Sequence, residues 1–407
     1  MDAGTTLDRR GFLQRGLTLG GVAVLSSCFP AEAQADRPAG GSRFSAAIIG
    51  HTGRGDYGHG LDVIFNGHPD VEVRAVADPD PTGRAQAQTR CHAPRSYAEY
   101  GELLATERPQ LVAVGPRHTD QHHAIVSAVL RSGAHVIVEK PFTQTLAEAD
   151  ELNALAQKSN LQIVVAHQLR LAPSIQHLKR KLDEGLIGRL VAIQAHGKQD
   201  DRRAGGEDMI VLGTHLFDLM RYLAGDVASA TAQIWQRGRE VMKSDAHAAS
   251  EAIGLVLGDE IEAQFQFRSG VTGAFTSRGR LRETLGPWGL TLLGDQGVVR
   301  ILWEIDPRIL LRQNAAWKAE AGTERWIPLA GDPGPSLPAD QRGFPAANRR
   351  VLEDWLGAIR ERRPPACSGV DGAKALEMAL GVFQAGLERA RVPFPLARRK
   401  HPLATEI

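Results

Sequence analysis

Ala46-Ala47-Ile48-Ile49-Gly50-His51-Thr52-Gly53-Arg54-Gly55 sets a short apolar run directly against a glycine-rich turn. A buried strand that empties into glycines is the entry to a phosphate cradle, because backbone N–H groups can face an anion with no side chain in the way. Gly50, Gly53 and Gly55 supply the turn, Arg54 lies within it, and Thr52 stands where the middle glycine of G-x-G-x-x-G belongs. A helix over 57–65, closed by Asn66-Gly67, is expected to follow. The next apolar run, 71–77, ends in Asp78, where a carboxylate accepts from both ribose hydroxyls and repels a 2′-phosphate. That favours NAD over NADP, with Arg84 the one hint the other way.

Outward from this turn, strand patterns at 45–49, 71–77, 111–114, 135–138 and 161–166 alternate with helical patterns at 57–65, 98–106, 121–131 and 146–158. Such alternation gives an α/β fold with a doubly wound parallel sheet. After about residue 180 the pattern changes. A helical run at 209–223 is followed by strand candidates at 230–235, 261–267, 273–276, 290–293 and 298–303, with a hairpin at Phe267–Val271. This reads as a second α+β domain with a large, mostly antiparallel open sheet, and helices at 347–360 and 372–390 are expected to pack back on the rest of the chain. The expected division is a nucleotide-binding domain over 43–168 and a substrate and oligomerisation domain over 169–396.

Residues 1–35 read as a leader. Asp8-Arg9-Arg10-Gly11-Phe12-Leu13-Gln14 before the mildly apolar 16–25 has the form of a twin-arginine signal, which a translocase exports with the protein already folded. Asp8 and Gln14 depart from that pattern, leaving a Sec signal or plain leader as the alternative. Leu25-Ser26-Ser27-Cys28 resembles a lipoprotein box that would anchor the chain through Cys28, while Ala31-Glu32-Ala33 and Ala33-Gln34-Ala35 offer ordinary cleavage. Either route places the mature protein in the periplasm or at a membrane. No segment has the roughly 20 apolar residues a bilayer span needs. The near balance of 48 basic and 47 acidic residues gives no electrostatic case for nucleic acid. Three cysteines form no disulfide framework, and His118, His122 and His123 lack a third partner at metal-ligand spacing, so no metal is expected.

Val136-Ile137-Val138-Glu139-Lys140-Pro141 places an ammonium at the carboxyl edge of the sheet, where doubly wound folds hold ligands. With Pro116 and His122, Arg170-Leu171-Ala172-Pro173, Gly185-Leu186-Ile187-Gly188, Gly213-Thr214-His215-Leu216-Phe217-Asp218 and Arg391-Val392-Pro393-Phe394-Pro395, the chain resembles the Gfo/Idh/MocA family from about residue 45 to 396. The resemblance implies NAD as cofactor and Lys140 touching both nicotinamide ribose and substrate. It also implies His215 as the group that exchanges the substrate hydroxyl proton, Asp218 orienting it or capping its packing, and Pro116 and His122 shaping the nicotinamide side. Arg170 is expected at substrate, and dimers or tetramers are expected.

The chain departs from that family at Val211, where many members carry an Asp one helical turn before the histidine. Asp208 or Glu207 is expected to contact substrate in its place, the alternative being a solvated acidic turn favoured by the helix dipole. The expected activity is oxidation of a sugar, glycoside or polyol hydroxyl with tightly held NAD. A redox-neutral hydrolase or lyase using transient ring oxidation is the first alternative, and a cofactor-bearing binding protein without turnover the second. Trp235, Trp288 and Trp303 read as sheet packing rather than sugar platforms.

Overall fold

The computed structural model describes residues 43–200, 203–279, 288–314 and 325–404; the expected signal and Cys28 lie outside the described residues. The first sheet is built from β1 (Phe44–Ile49), β2 (Val71–Ala77), β3 (Arg95–Tyr97), β4 (Leu111–Val114), β5 (His135–Val138) and β6 (Ile163–Val165). All five pairings are parallel, in the order β3-β2-β1-β4-β5-β6. The order reverses between β1 and β4, which opens a crevice at their carboxyl ends. Strands β4, β5 and β6 are buried along their whole length, and apart from His135 they read as aliphatic runs because both sheet faces are covered.

Helices α1 (Pro81–Arg90), α2 (Tyr100–Glu107), α3 (His122–Arg131) and α4 (Leu146–Lys158) connect these strands. Leu103, Ile125, Val129 and Leu152 of α2, α3 and α4 cover one face. The helix expected over 57–65 is absent: the chain there runs through successive turns. Asp56, Gly58 and Gly60 hold φ of 55°, 60° and 79°, and left-handed residues cannot continue an i→i−4 ladder. Leu61, Ile64 and Phe65 of this segment still reach the core. The rest of that face is covered by a helix from the far end of the chain, whose Val351, Leu352, Trp355 and Leu356 join the same cluster.

The second half begins with α5 (Pro173–Asp183) and β7 (Leu190–His196). A short turn α6 (Gly205–Asp208), a π-helical segment (Met209–Gly213) and α7 (Thr214–Ala224) then run on without a break. Next come β8 (Val227–Gln236), β9 (Arg239–Glu240), β10 (His247–Ala248), β11 (Leu255–Val256), β12 (Glu260–Phe267), β13 (Thr272–Arg278), β14 (Gly289–Gly294), β15 (Val298–Leu302), β16 (Arg308–Arg312) and β17 (Ile327–Pro328). The chain closes with α8 (Gly343–Glu361), α9 (Gly369–Glu388) and β18 (Val392–Pro393). Ten of these strands form one sheet, β17-β16-β15-β14-β7-β13-β12-β8-β18 with β9 on β8, antiparallel except where β7 meets β13. Phe217 of α7 packs edge-on to Phe265 and Phe275 at 5.5 and 5.0 Å, which seats α7 on the sheet. Helix α8, from the second half, covers the first sheet, and α9 packs on α4 as well as α7 and β8, so the two sheets share one framework.

Two buried histidines make the fold acid-sensitive. The rings of His135 and His401 accept backbone N–H groups from Gln162 and Leu403, a task only neutral imidazole can do, and burial pushes both down to about 4. Because their folded values are depressed, stability is full above the unfolded value of 6.5 and is lost as pH falls through about 4. Each ring contributes about 3 kcal/mol to that loss. Asp208, raised to about 6 by burial, works in the opposite sense and offsets part of it. Thermal melts should show a midpoint falling steadily from pH 6.5 to 4; a flat or rising midpoint would contradict this assignment.

Candidate active site

Lys140 follows β5 directly, beside the β1–β4 crevice, and is only 4% exposed. Its Nζ donates to the carbonyl of Val211 at 3.1 Å. That carbonyl lies in the π-helical segment, where hydrogen bonds shift from i→i+4 toward i→i+5 and leave main-chain oxygens free for outside partners. The backbone of Val211 thus holds the lysine where the usual Asp side chain is missing. Burial lowers the Lys140 pKa from its ordinary value; the charges of Glu139 and Glu251 oppose that shift, and Arg117 adds to it. An amine so placed can hold or release a proton nearer neutrality.

His215 enters from the other lobe on α7 and keeps 9% of its surface open. Burial first, and then the nearby Lys140 and His167, hold it well below 6.5, so it is neutral and ready to accept a proton. Its Nδ1 has no hydrogen-bond partner among the described residues. Its ring lies edge-on to His167 at 5.5 Å and against Trp303 at 4.9 Å; Trp303 in turn packs on Trp288 at 4.5 Å, over which Lys198 Nζ sits at 5.9 Å. Trp288 and Trp303, read as sheet packing, therefore wall the site as well, and the indole N–H of Trp288 is buried with no hydrogen-bond partner among the described residues.

The other residues singled out from the sequence divide between bracing and binding. Glu139 is fully buried; burial raises its pKa, but hydrogen bonds from the His59 ring and backbone outweigh this and bring it down to about 2. His122 bridges the Pro116 and Phe142 carbonyls at 2.7 and 3.0 Å, tying together the loops after β4 and β5. Arg170 is a bolt: it pairs with Asp218 at 2.7 Å and Asp371 at 3.2 Å and donates to the Ala366 carbonyl. Asp218 is spent on Arg170, with its second oxygen 3.6 Å from His167 Nδ1. Asp208 is 0% exposed and accepts from Ser277 and from the backbone of Lys198 and Gln199, so it braces the loop after β7. Glu207 holds the Ser250 hydroxyl and backbone. Neither carboxylate has Lys140 or His215 as a hydrogen-bond or ion-pair partner.

At the nucleotide end, Gly53 and Gly55 hold φ of 80° and 87°, and a Cβ on Gly53 would meet nothing within 4 Å. Asp56 ties the turn by accepting from Gly53 N, and Arg54 pairs with Asp120. Asp78 is already satisfied: it accepts from Thr52 N and Oγ1, from the Tyr57 hydroxyl at 2.7 Å and from Asp80 N. The Tyr57 ring lies so close over Gly50 that a Cβ there would sit 2.0 Å from it. Arg84, the hint toward NADP, donates to the Asp78 carbonyl.

Two family models cover this architecture, one for an oxidoreductase family with an NAD-binding Rossmann fold over residues 44–167 and one for its C-terminal alpha/beta domain over 179–394. The chain belongs to the Gfo/Idh/MocA family. It is an NAD-dependent oxidoreductase. Among relatives, D-apiose dehydrogenase of Paraburkholderia graminis is 24% identical over 82% of this chain and 86% of its own length. UDP-N-acetylglucosamine 3-dehydrogenase of Acidithiobacillus ferrooxidans is 27% identical over 73% of this chain and 83% of its own. Among solved structures, levoglucosan dehydrogenase in complex with NADH has the same fold, with a TM-score of 0.70 at 19% identity over 87% of this chain and 100% of that one.

The residues present fit a dinucleotide. The glycine turn offers backbone at the switch point, and Lys140 and the unpartnered His215 stand together at the pyridine end. At the ribose end, the Tyr57 and Thr52 hydroxyls meet Asp78 as a ribose diol would. Burial and Asp78 keep the Tyr57 phenol protonated, so it competes as a donor. In Tyr57→Phe, loss of one hydroxyl–carboxylate bond removes ~1.5 kcal/mol from the nucleotide-free state, so NAD should bind about tenfold tighter. A fluorescence titration reads this; weaker binding would show that the hydroxyl supports the bound state.

Proposed function

We propose that the protein is an exported dehydrogenase that oxidises a hydroxyl of a sugar, glycoside or polyol and keeps its NAD tightly bound. The observation that carries this reading is the meeting of Lys140, held by the Val211 carbonyl, with a neutral His215 beside a tryptophan pair. Bound NAD supplies a hydride acceptor. Oxidation of a CH–OH carbon releases one hydride to it and one proton from oxygen. His215 takes that proton, and Lys140 polarises the oxygen as it becomes a carbonyl. Indole faces match the apolar C–H faces of sugar rings, and the free Trp288 N–H can donate to a hydroxyl. The sugar and nucleotide-sugar dehydrogenases among its relatives agree with this substrate class.

Export rests on the Arg9-Arg10 leader and passage through the twin-arginine translocase, with Cys28 as lipid anchor or lost on cleavage at 31–35. A nucleotide carried out of the cytoplasm has no free pool to exchange with, hence the tight binding. The large second sheet is the surface for a homo-oligomer. The redox-neutral hydrolase or lyase remains the second reading, because two neutral imidazoles and a buried amine supply both a base and an acid.

Purified protein with candidate sugars, followed at the absorbance of reduced nicotinamide, tests this. A persistent rise on sugar addition supports the dehydrogenase. Product release without net rise supports the redox-neutral cycle. No bound nucleotide and no response overturn both.

A further inference from the structure

Among the described residues, four buried polar atoms on three neighbouring side chains have no hydrogen-bond partner: His215 Nδ1, both ring nitrogens of His167, and Asp218 Oδ1. His167 is 2% exposed, with its ring edge-on to His215 at 5.5 Å and its Nδ1 3.6 Å from Asp218 Oδ1. A buried imidazole with neither nitrogen satisfied is costly, and three adjacent groups sharing that cost point to a common use. The 3.6 Å between His167 Nδ1 and Asp218 Oδ1 exceeds a hydrogen bond, and with the two rings edge-on these groups have room to tighten, or to take up one water, when a proton enters.

We propose that His167 is a proton-relay and positioning residue: His215 takes the hydroxyl proton of the substrate on one ring nitrogen and passes the proton of its Nδ1 to His167, whose imidazolium Asp218 stabilises. This rests on the dehydrogenase reading above and replaces the proton path lost with the carboxylate that Val211 displaces. The balance is simple. One O–H bond breaks, one proton moves to the imidazole pair, and the electron pair of the C–H bond leaves as hydride to NAD. Asp218 stays an anion paired with Arg170 and acts as the orienting carboxylate does in a Ser–His–Asp triad. The groups that face His167 are Asp218 and His215 on α7, Lys140 after β5, Arg170 on its own turn and Asp371 on α9. Burial, Arg170 and Lys140 favour its neutral form and Asp218 and Asp371 its charged one, so the ring can serve as a transient acceptor.

The test uses His167→Phe and His167→Gly in the full-length holoenzyme, with His215→Ala as reference. In His167→Phe, kcat should fall about 100-fold while KM and NADH affinity change less than twofold. The acid limb of the pH profile should move upward, because His215 loses a neighbour that helps depress it. Added imidazole should restore His167→Gly at least tenfold. The ¹⁵N titration of the His215 ring should move to higher pH in His167→Phe than in wild type, as the neighbouring imidazole is removed. Wild-type kcat and an unmoved acid limb in His167→Phe, with His215→Ala inactive, would overturn the relay and leave the dehydrogenase reading standing. A loss of kcat that imidazole does not rescue, with the limb unmoved, would reduce His167 to packing and overturn the relay equally. An active His215→Ala would instead sink the parent reading.

Discussion

His215→Ala should lower kcat by 10³- to 10⁴-fold while NAD still binds. A positioned general base is worth about 10²- to 10⁴-fold, and the upper end applies here because no other described base stands in its place. His167 is 5.5 Å away ring to ring, and the carboxylates of Asp208 and Asp218 are held by Ser277 and backbone groups and by Arg170. The corresponding loss of transition-state stabilisation is about 4–5 kcal/mol. The effect should fall on kcat and kcat/KM together, since removal of a proton acceptor costs nothing until the O–H bond starts to break. His215→Asn keeps a hydrogen-bonding edge near the Nδ1 position but takes no proton, so it should be as inactive as alanine. Steady-state kinetics with stoichiometric NAD checks both; a normal rate in His215→Asn would show that the imidazole only packs.

Lys140→Met should cost about 10³-fold in kcat and weaken NAD as well. Its ammonium donates to Val211 O and is 4% exposed, so methionine fills the volume but leaves that carbonyl buried and without its donor. Such a buried orphan costs about 1–3 kcal/mol in its own right, so a drop in melting temperature should accompany the kinetic loss. Lys140→Arg separates charge from chemistry. Guanidinium keeps the charge but does not give up a proton, and its planar fork does not fit a site built for one carbonyl contact. Its kcat should therefore stay within tenfold of Lys140→Met. Recovery to near wild-type rate would mean that a fixed positive charge is all the site needs.

Much of the framework was legible because burial leaves the strands as short aliphatic or alternating apolar runs. Val71–Ala77, Leu111–Val114 and His135–Val138 match their sequence patterns residue for residue, as does helix Leu146–Lys158 with its Thr145 capping box. The helix expected at 57–65 failed because apolar spacing there concealed left-handed glycines. Helix Pro81–Arg90 was passed over for the opposite reason: its face is mostly polar, although Asp80 before Pro81 is a sound start signal. Helix α8 as the cover for that face is a long-range event that no local pattern encodes.

At the site, Lys140 and His215 were visible as residue types at the right edges of their elements. Val211 was visible as a gap, but not that its carbonyl would take the lysine, because side-chain identity does not announce a π-turn. Asp208 was read as a substrate contact from its position on the helix face. The close approach of Gly197, where a Cβ would lie 2.1 Å from its carboxylate, buries it instead. Asp78 was read as the acid that accepts from the ribose hydroxyls; that Thr52 and Tyr57 occupy it in this structure depends on the collapsed turn, which no local pattern encodes. The tryptophan wall was missed because Trp288 and Trp303 flank paired strands and meet only when β14 and β15 are in register.

The central claim is that Lys140 and His215, from different lobes, act on one oxygen as a unit. A double-mutant cycle on single-turnover hydride transfer, read from the rise of reduced nicotinamide absorbance, measures this directly. Groups that act together lose their joint effect once either is gone, so Lys140→Met/His215→Ala should be no more than about tenfold slower than the slower single variant. If the two logarithmic losses add in full, the amine and the imidazole serve separate events and the shared site is refuted.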